Sequence, residues 1–95
     1  MITEKKEMLS YKNFCKKVKV YFTNFYKNSE VYIKRTKKGD MLIIKQQKYN
    51  NITPQIVISS LYQRYVFGMT YKTILEDIER TYEMLINMKF KNNIY

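Results

Sequence analysis

The spacing of apolar side chains changes period partway along the chain, and that change limits the fold more than any other feature. From about Leu9 to Lys27, Tyr11, Phe14, Cys15, Val18, Phe22 and Phe25 recur at three- and four-residue steps, with Lys12, Lys16 and Lys19 on another face. This is the pattern of an amphipathic helix, and Ser10 is placed to cap it. Asn28-Ser29 ends the pattern, and Val31-Tyr32-Ile33 then alternates with Lys34 and Thr36 at the period of a strand. Lys37-Lys38-Gly39-Asp40 supplies a turn, because Gly39 takes a positive φ without a Cβ clash, and Met41 to Lys45 reads as the returning strand. One chain that holds both periods is an α+β chain.

The remaining elements follow from punctuation. Gln46 to Thr53 is a polar connection. Pro54, which has no N–H to give to a sheet, begins a third short strand through Ile58. Ser59 or Ser60 is expected to cap a short helix with Leu61, Tyr62, Tyr65 and Val66 on its apolar stripe, and Gly68 stops it. Thr70 caps the last helix, whose Tyr71, Ile74, Leu75, Ile78, Tyr82 and Leu85 share one face, and the tail from Lys89 to Tyr95 is expected to fray. The predicted architecture is an N-terminal helix, a three-stranded antiparallel sheet covered on one face, and two C-terminal helices. With 95 residues and no repeat or linker, residues 1–95 form a single small domain with a core at about 8–88. A hydrophobic fraction of 45% with two Gly and one Pro separates it from a disordered basic tail.

The order of these segments resembles an uncharacterised bacterial family known as domain of unknown function 5688. The resemblance lies in Tyr11-Lys12-Asn13-Phe14, Gly39 to Ile44, Pro54 to Ile58, Tyr62 to Gly68, and Ile74-Leu75-Glu76-Asp77-Ile78, and it covers roughly residues 8–88. Those stretches are similar to the family's Tyr-x-x-Phe helix, its Gly-Leu-x-Ile turn, a Pro-led strand, a Tyr-x-x-Tyr-x-x-Gly helix and an Ile-Leu-x-x-Ile helix. Val57 departs from the aromatic usual in the third strand. The resemblance implies this fold outline and an origin in a bacterium, phage or other mobile element, and no chemistry.

Charge is the other informative property. Lys and Arg number 18 against 8 Asp and Glu, a net +10. Residues 1–50 carry 13 cations and 4 acids, or +9, and residues 51–95 carry 5 and 4, or +1. AT-rich codon usage accounts for part of the Lys excess, since Lys outnumbers Arg 15 to 3, but the same codon bias permits Glu, which occurs only six times. A basic half opposite a near-neutral half points to a polyanionic partner.

Catalytic templates are mostly excluded. Without His there is no Ser-His or Cys-His pair and no imidazole metal site, and one Cys makes no thiolate zinc site. Two Gly 29 residues apart do not build a phosphate-cradling loop. Cys15, on the helical stripe, reads as a small buried hydrophobe, and Glu76, Asp77, Glu79 and Glu83 read as a solvated helix face with a Glu76–Arg80 pair. No enzyme activity, metal or cofactor is expected. The longest apolar runs, Met41 to Ile44 and Ile56 to Ile58, fall far short of the roughly 20 residues of a membrane span, and the polar start does not read as a signal peptide. The expected location is the cytoplasm, with no membrane partner and a monomer or homodimer.

The candidate binding residues are Lys34, Arg35, Lys37 and Lys38 at the hairpin tip, Lys45 and Lys48 beyond it, and Lys12, Lys16 and Lys19 on the first helix. Tyr32, Lys34, Thr36 and Tyr49 are expected to combine stacking with phosphate contact on an open sheet face. Most other Tyr residues are expected in the core, with Tyr26, Tyr49 and Tyr95 exposed. The expected role is a non-enzymatic binding module for nucleic acid or a nucleoprotein. The alternative is a protein–protein inhibitor or adaptor that docks on an acidic protein surface, an anti-CRISPR or other host-defence inhibitor being one form.

Overall fold

A computed structural model of the protein describes residues 8–49 and 52–92. Helix α1 (Tyr11–Phe25) is followed by strands β1 (Ser29–Thr36) and β2 (Gly39–Gln46), a single 3₁₀ turn at Gln47–Tyr49, strand β3 (Gln55–Val57), and helices α2 (Ile58–Val66) and α3 (Tyr71–Asn92). The order is the one expected from the sequence: a helix, a three-stranded antiparallel sheet, and two helices.

Ser10 starts α1, its Oγ accepting the Asn13 N–H at 3.2 Å. The helix is two residues shorter at each end than its apolar spacing suggests. At the front the cap itself lies outside the helix. At the back Asn28 takes φ +58, a left-handed conformation that Asn tolerates, and turns the chain into β1. Phe14, Val18 and Phe22 are fully buried, each such burial contributing about 2–3 kcal/mol. Phe14 is the aromatic hub of the helices, with ring centroids 5.1 Å from Tyr62, 5.2 Å from Tyr65 and 6.1 Å from Tyr71. Two of those phenols also hold the chain before α1. Tyr62 Oη donates to the Leu9 carbonyl at 2.9 Å, and the Leu9 N–H donates to Tyr65 Oη at 3.0 Å.

The sheet runs β1-β2-β3, antiparallel throughout. Tyr32 lies opposite Ile43, Lys34 opposite Met41, and Met41 opposite Val57. Because side chains alternate between faces, Val31, Ile33, Leu42, Ile44 and Ile56 point toward the helices, where they meet Phe14, Ile58, Ile74, Ile78 and Tyr82. Glu30, Tyr32 and Lys34 share the other face with Met41, Ile43 and Lys45. Met41 and Ile43 are buried even there, flanked in register by Lys34 and Val57 and by Tyr32 and Gln55.

Three local expectations need correction. The α2 helix begins at Ile58, with Val57 at the cap position and no side-chain cap, so neither Ser59 nor Ser60 caps it; the fully buried Ile58 side chain is drawn into the core and carries the helix start with it. The α3 helix extends through Asn92, past the expected end of its regular part at Lys89, and Ile86, almost fully buried, anchors the preceding turn; residues 93–95, including Tyr95, lie outside the described residues. Tyr26 is buried at 8% exposure, whereas Phe25 and Val66, expected on apolar stripes, are exposed. The helix stop at Gly68 is as expected: Gly68 at φ +121 lets its own N–H reach the Tyr65 carbonyl and the Met69 N–H reach Arg64. Thr70 caps α3 by accepting the Thr73 N–H at 3.2 Å.

Candidate nucleic-acid interface

The hairpin tip is shorter and stiffer than four turn residues would make it. Thr36 pairs with Gly39, so Lys37 and Lys38 alone form the connection. Among the described residues only Asn28 and the two glycines have positive φ, so the lysines keep ordinary backbone geometry and Gly39, at φ +125, absorbs the reversal. Thr36 is engaged within the turn itself. Its hydroxyl donates to the Gly39 carbonyl at 2.6 Å and accepts the Lys38 N–H at 3.2 Å, which fixes the turn that displays the two lysine side chains.

The tip is tied to α1. Tyr11 Oη donates to Asp40 Oδ2 at 2.6 Å, and burial together with the Asp40 carboxylate pushes the Tyr11 phenol well above its ordinary range. Asp40 lies opposite Arg35 in register, so this bond brings the start of α1 beside the tip cations. Lys12 follows Tyr11 directly. At 100° per residue, Lys12, Lys16 and Lys19 fall within an arc of about 60° on α1, continuing round the helix from Tyr11 and Cys15. The opposite flank is different: Lys17 Nζ sits 5.0 Å from the Tyr71 ring centroid.

Lys12, Lys16, Lys34, Arg35, Lys37 and Lys38 are exposed, and Lys19 is half-buried. None forms an ion pair with another described residue. The one ion pair among the described residues is Arg80–Asp77 at 3.1 Å on α3, which also replaces the expected Glu76–Arg80 pair, the i, i+3 neighbour being within closer reach. Unpaired cations on a surface are free to exchange their counterions for phosphates. The near-neutral second half of the chain supplies α2 and α3.

The structure divides the remaining predicted residues. Tyr32 is 37% exposed on the outer sheet face beside Lys34 and Lys45, and Lys45 lies opposite Glu30. Tyr49 and Lys48 do not join them. They sit past the far end of β2, about 23 Å from the tip by strand rise, with Lys48 Nζ 5.2 Å from the Tyr49 ring centroid. The expected platform of Tyr32, Lys34, Thr36 and Tyr49 is therefore not formed, because the 3₁₀ turn at Gln47–Tyr49 carries Tyr49 off the sheet toward α3.

There Tyr49 helps line a cleft with Tyr26, Gln46, Tyr82 and Glu83. Tyr82 Oη donates to Gln46 Oε1 at 3.1 Å, and Tyr26 Oη donates to Glu83 Oε2 at 3.2 Å. Burial raises both phenols, that of Tyr82 up to about 12, and the Glu83 carboxylate adds to the shift at each. Cys15 is half-buried against the core, and burial raises its thiol as well. A thiol held neutral is a poor nucleophile.

Sequence reasoning missed the Tyr11–Asp40 bond and the Gln46–Tyr82 pair. The first left no signal beyond an acid inside a basic turn, and the second joins residues 36 positions apart. Among the described residues no group of three or more His, Cys, Asp or Glu is placed to hold a metal ion, and no helix is long and apolar enough to cross a membrane. No family model matches the chain, and no curated protein or solved structure is detectably similar to it.

Proposed function

We propose that the protein is a non-enzymatic binding module that engages nucleic acid, free or within a nucleoprotein, through the hairpin tip and the basic flank of α1. The observation that supports this reading most is the set of seven cations, Lys12, Lys16, Lys19, Lys34, Arg35, Lys37 and Lys38, linked through the Tyr11–Asp40 tie and without ion-pair partners among the described residues. Such a set matches a phosphate backbone better than a small anion, because it extends over both a strand end and a helix flank. Tyr32, exposed beside Lys34, offers a stacking surface that suits single strands. The proposed setting is the cytoplasm of a bacterium, with a phage or other mobile element as the source.

Fluorescence anisotropy of labelled single-stranded RNA, single-stranded DNA and duplex DNA, titrated with the protein across a salt series, tests the reading. Binding whose log K falls steeply with log salt is expected. Charge reversal at Lys37 and Lys38 together with Lys12 and Lys16 is expected to abolish it while the circular dichroism spectrum is kept. No binding at low salt overturns the proposal and transfers the basic face to the alternative, an acidic protein surface blocked by an inhibitor or adaptor; a partner retained through nuclease treatment is what that alternative predicts.

A further inference from the structure

The free edge of β1 has a property that nucleic-acid binding does not require. Among the described residues β1 borders the sheet, pairing with β2 on one side only. Its eight residues contain neither Pro nor Gly, and their pairing with β2 runs without a bulge from Ser29–Gln46 to Thr36–Gly39. Proteins usually blunt such an edge by shortening, twisting or bulging it, or by placing charges, Lys above all, along it; β1 is long and regular, and the two charges on its outer face, Glu30 and Lys34, are of opposite sign. We infer that this edge is an interface for a second copy of the same chain, two β1 strands pairing antiparallel about a twofold axis at Tyr32 to join two three-stranded sheets into one of six strands.

Register carries the inference. For the two sheets to continue smoothly, outer-face residues must oppose outer-face residues, which admits only registers that set Glu30, Tyr32 and Lys34 against one another. Three centrings preserve face and bury several pairs. Centred on Val31, Glu30 faces Tyr32 and Lys34 overhangs. Centred on Ile33, Tyr32 faces Lys34 and Glu30 faces Thr36. Centred on Tyr32, Glu30 faces Lys34 twice, once on each side of the axis, and Tyr32 meets its own copy at the centre. On the inner face Val31 then meets Ile33 twice. Only this register turns the two outward charges of the strand into attractive cross-strand pairs, and it places the exposed aromatic ring, otherwise alone at 37% exposure, against another ring. The strand Glu30-Val31-Tyr32-Ile33-Lys34 is thus complementary to its own reverse, which is what a twofold interface demands. In the dimer Tyr32 and Lys34 are withdrawn from the proposed nucleic-acid surface, whereas the turn cations Lys37 and Lys38 lie beyond the paired segment and stay available to it.

Sedimentation velocity of the untagged full chain at about physiological salt, up to about 1 mM protein where even a weak complex shows, tests this with three variants. The wild type is expected to dimerise. Lys34→Glu sets Glu against Glu at both outer pairs and is expected to weaken the dimer about tenfold or more, even though it lowers the net charge that drives two copies apart. Glu30→Lys is expected to weaken it likewise. The double variant Glu30→Lys/Lys34→Glu, with the wild-type net charge, is expected to restore the dimer to within about threefold. A wild type that is monomeric throughout overturns the inference, and so does a dimer indifferent to the single variants or not rescued by the double one. Circular dichroism of each variant separates loss of association from loss of fold.

Discussion

The hairpin turn gives the most quantitative handle on the proposed interface. Lys37 and Lys38 are the two residues of the connection, their side chains make no hydrogen bond or ion pair among the described residues, and the turn is held by Thr36 and Gly39. Replacing both with Gln therefore removes two positive charges and leaves the hydrogen bonds of the hairpin in place. If, in the monomer, all seven of these cations contact phosphates of a single strand, log K falls with log salt at a slope of about −5, and without Lys37 and Lys38 at about −3.5. Between 50 and 200 mM salt the wild type then loses about 900-fold in affinity and the variant about 130-fold, while at about 0.1 M salt the variant binds roughly 25-fold more weakly. Anisotropy titrations of one labelled oligonucleotide at four or more salt concentrations measure both quantities. A variant with weaker binding but an unchanged slope would show that the turn lysines act through the fold and not through phosphates, and unchanged affinity with unchanged slope would remove the tip from the interface.

Two further outcomes follow from geometry and titration. Gly68→Ala places a Cβ at φ +121 with no atom within 4 Å, so its cost is conformational, about 1–3 kcal/mol, whereas Gly39→Ala at φ +125 also sets its Cβ 2.9 Å from Ser59 Oγ. Urea denaturation is expected to rank Gly39→Ala as the more damaging; equal costs would mean that the hairpin is not pressed against α2. The phenols of Tyr11, Tyr26 and Tyr82 are all raised above their ordinary value of 10. A phenol that holds its proton more tightly when folded stabilises the protein fully below pH 10, and that contribution is lost as pH rises from 10 through the folded value, about 12 for Tyr82. Urea midpoints are thus expected to fall above pH 10, less steeply in Tyr26→Phe than in the wild type; identical slopes would contradict the burial of the Tyr26 hydroxyl against Glu83.

The fold was legible in the sequence wherever a local rule sufficed. The change of period separates α1 from the hairpin, Gly68 and Thr70 mark the α2–α3 junction, and Ser10 marks the start of α1, because each depends on backbone groups within a few residues. The exposure of the lysines in the proposed interface was legible for the same reason, since solvated cations next to a Gly turn need no distant partner. What failed were inferences that needed the other side of a contact. Ser59 is a good cap residue, yet the pull of the core on Ile58 starts α2 before it. Tyr26 and Tyr49 resemble one another in sequence context, but α3 covers Tyr26 through Tyr82 and Glu83, with Tyr26 and Tyr82 ring centroids 4.9 Å apart.

Composition and spacing by themselves determined a small basic α+β chain with its charge gathered in the first half, because charge and periodicity are properties of neighbours along the chain. Only the tertiary structure decided that the basic residues form a tip and helix flank tied by Tyr11 and Asp40, that Tyr49 belongs to a different surface from Tyr32, and that β1 is left at the border of its sheet. Those outcomes depend on which elements pack together, and packing is set by burial of the whole core, a quantity that no short window of sequence contains.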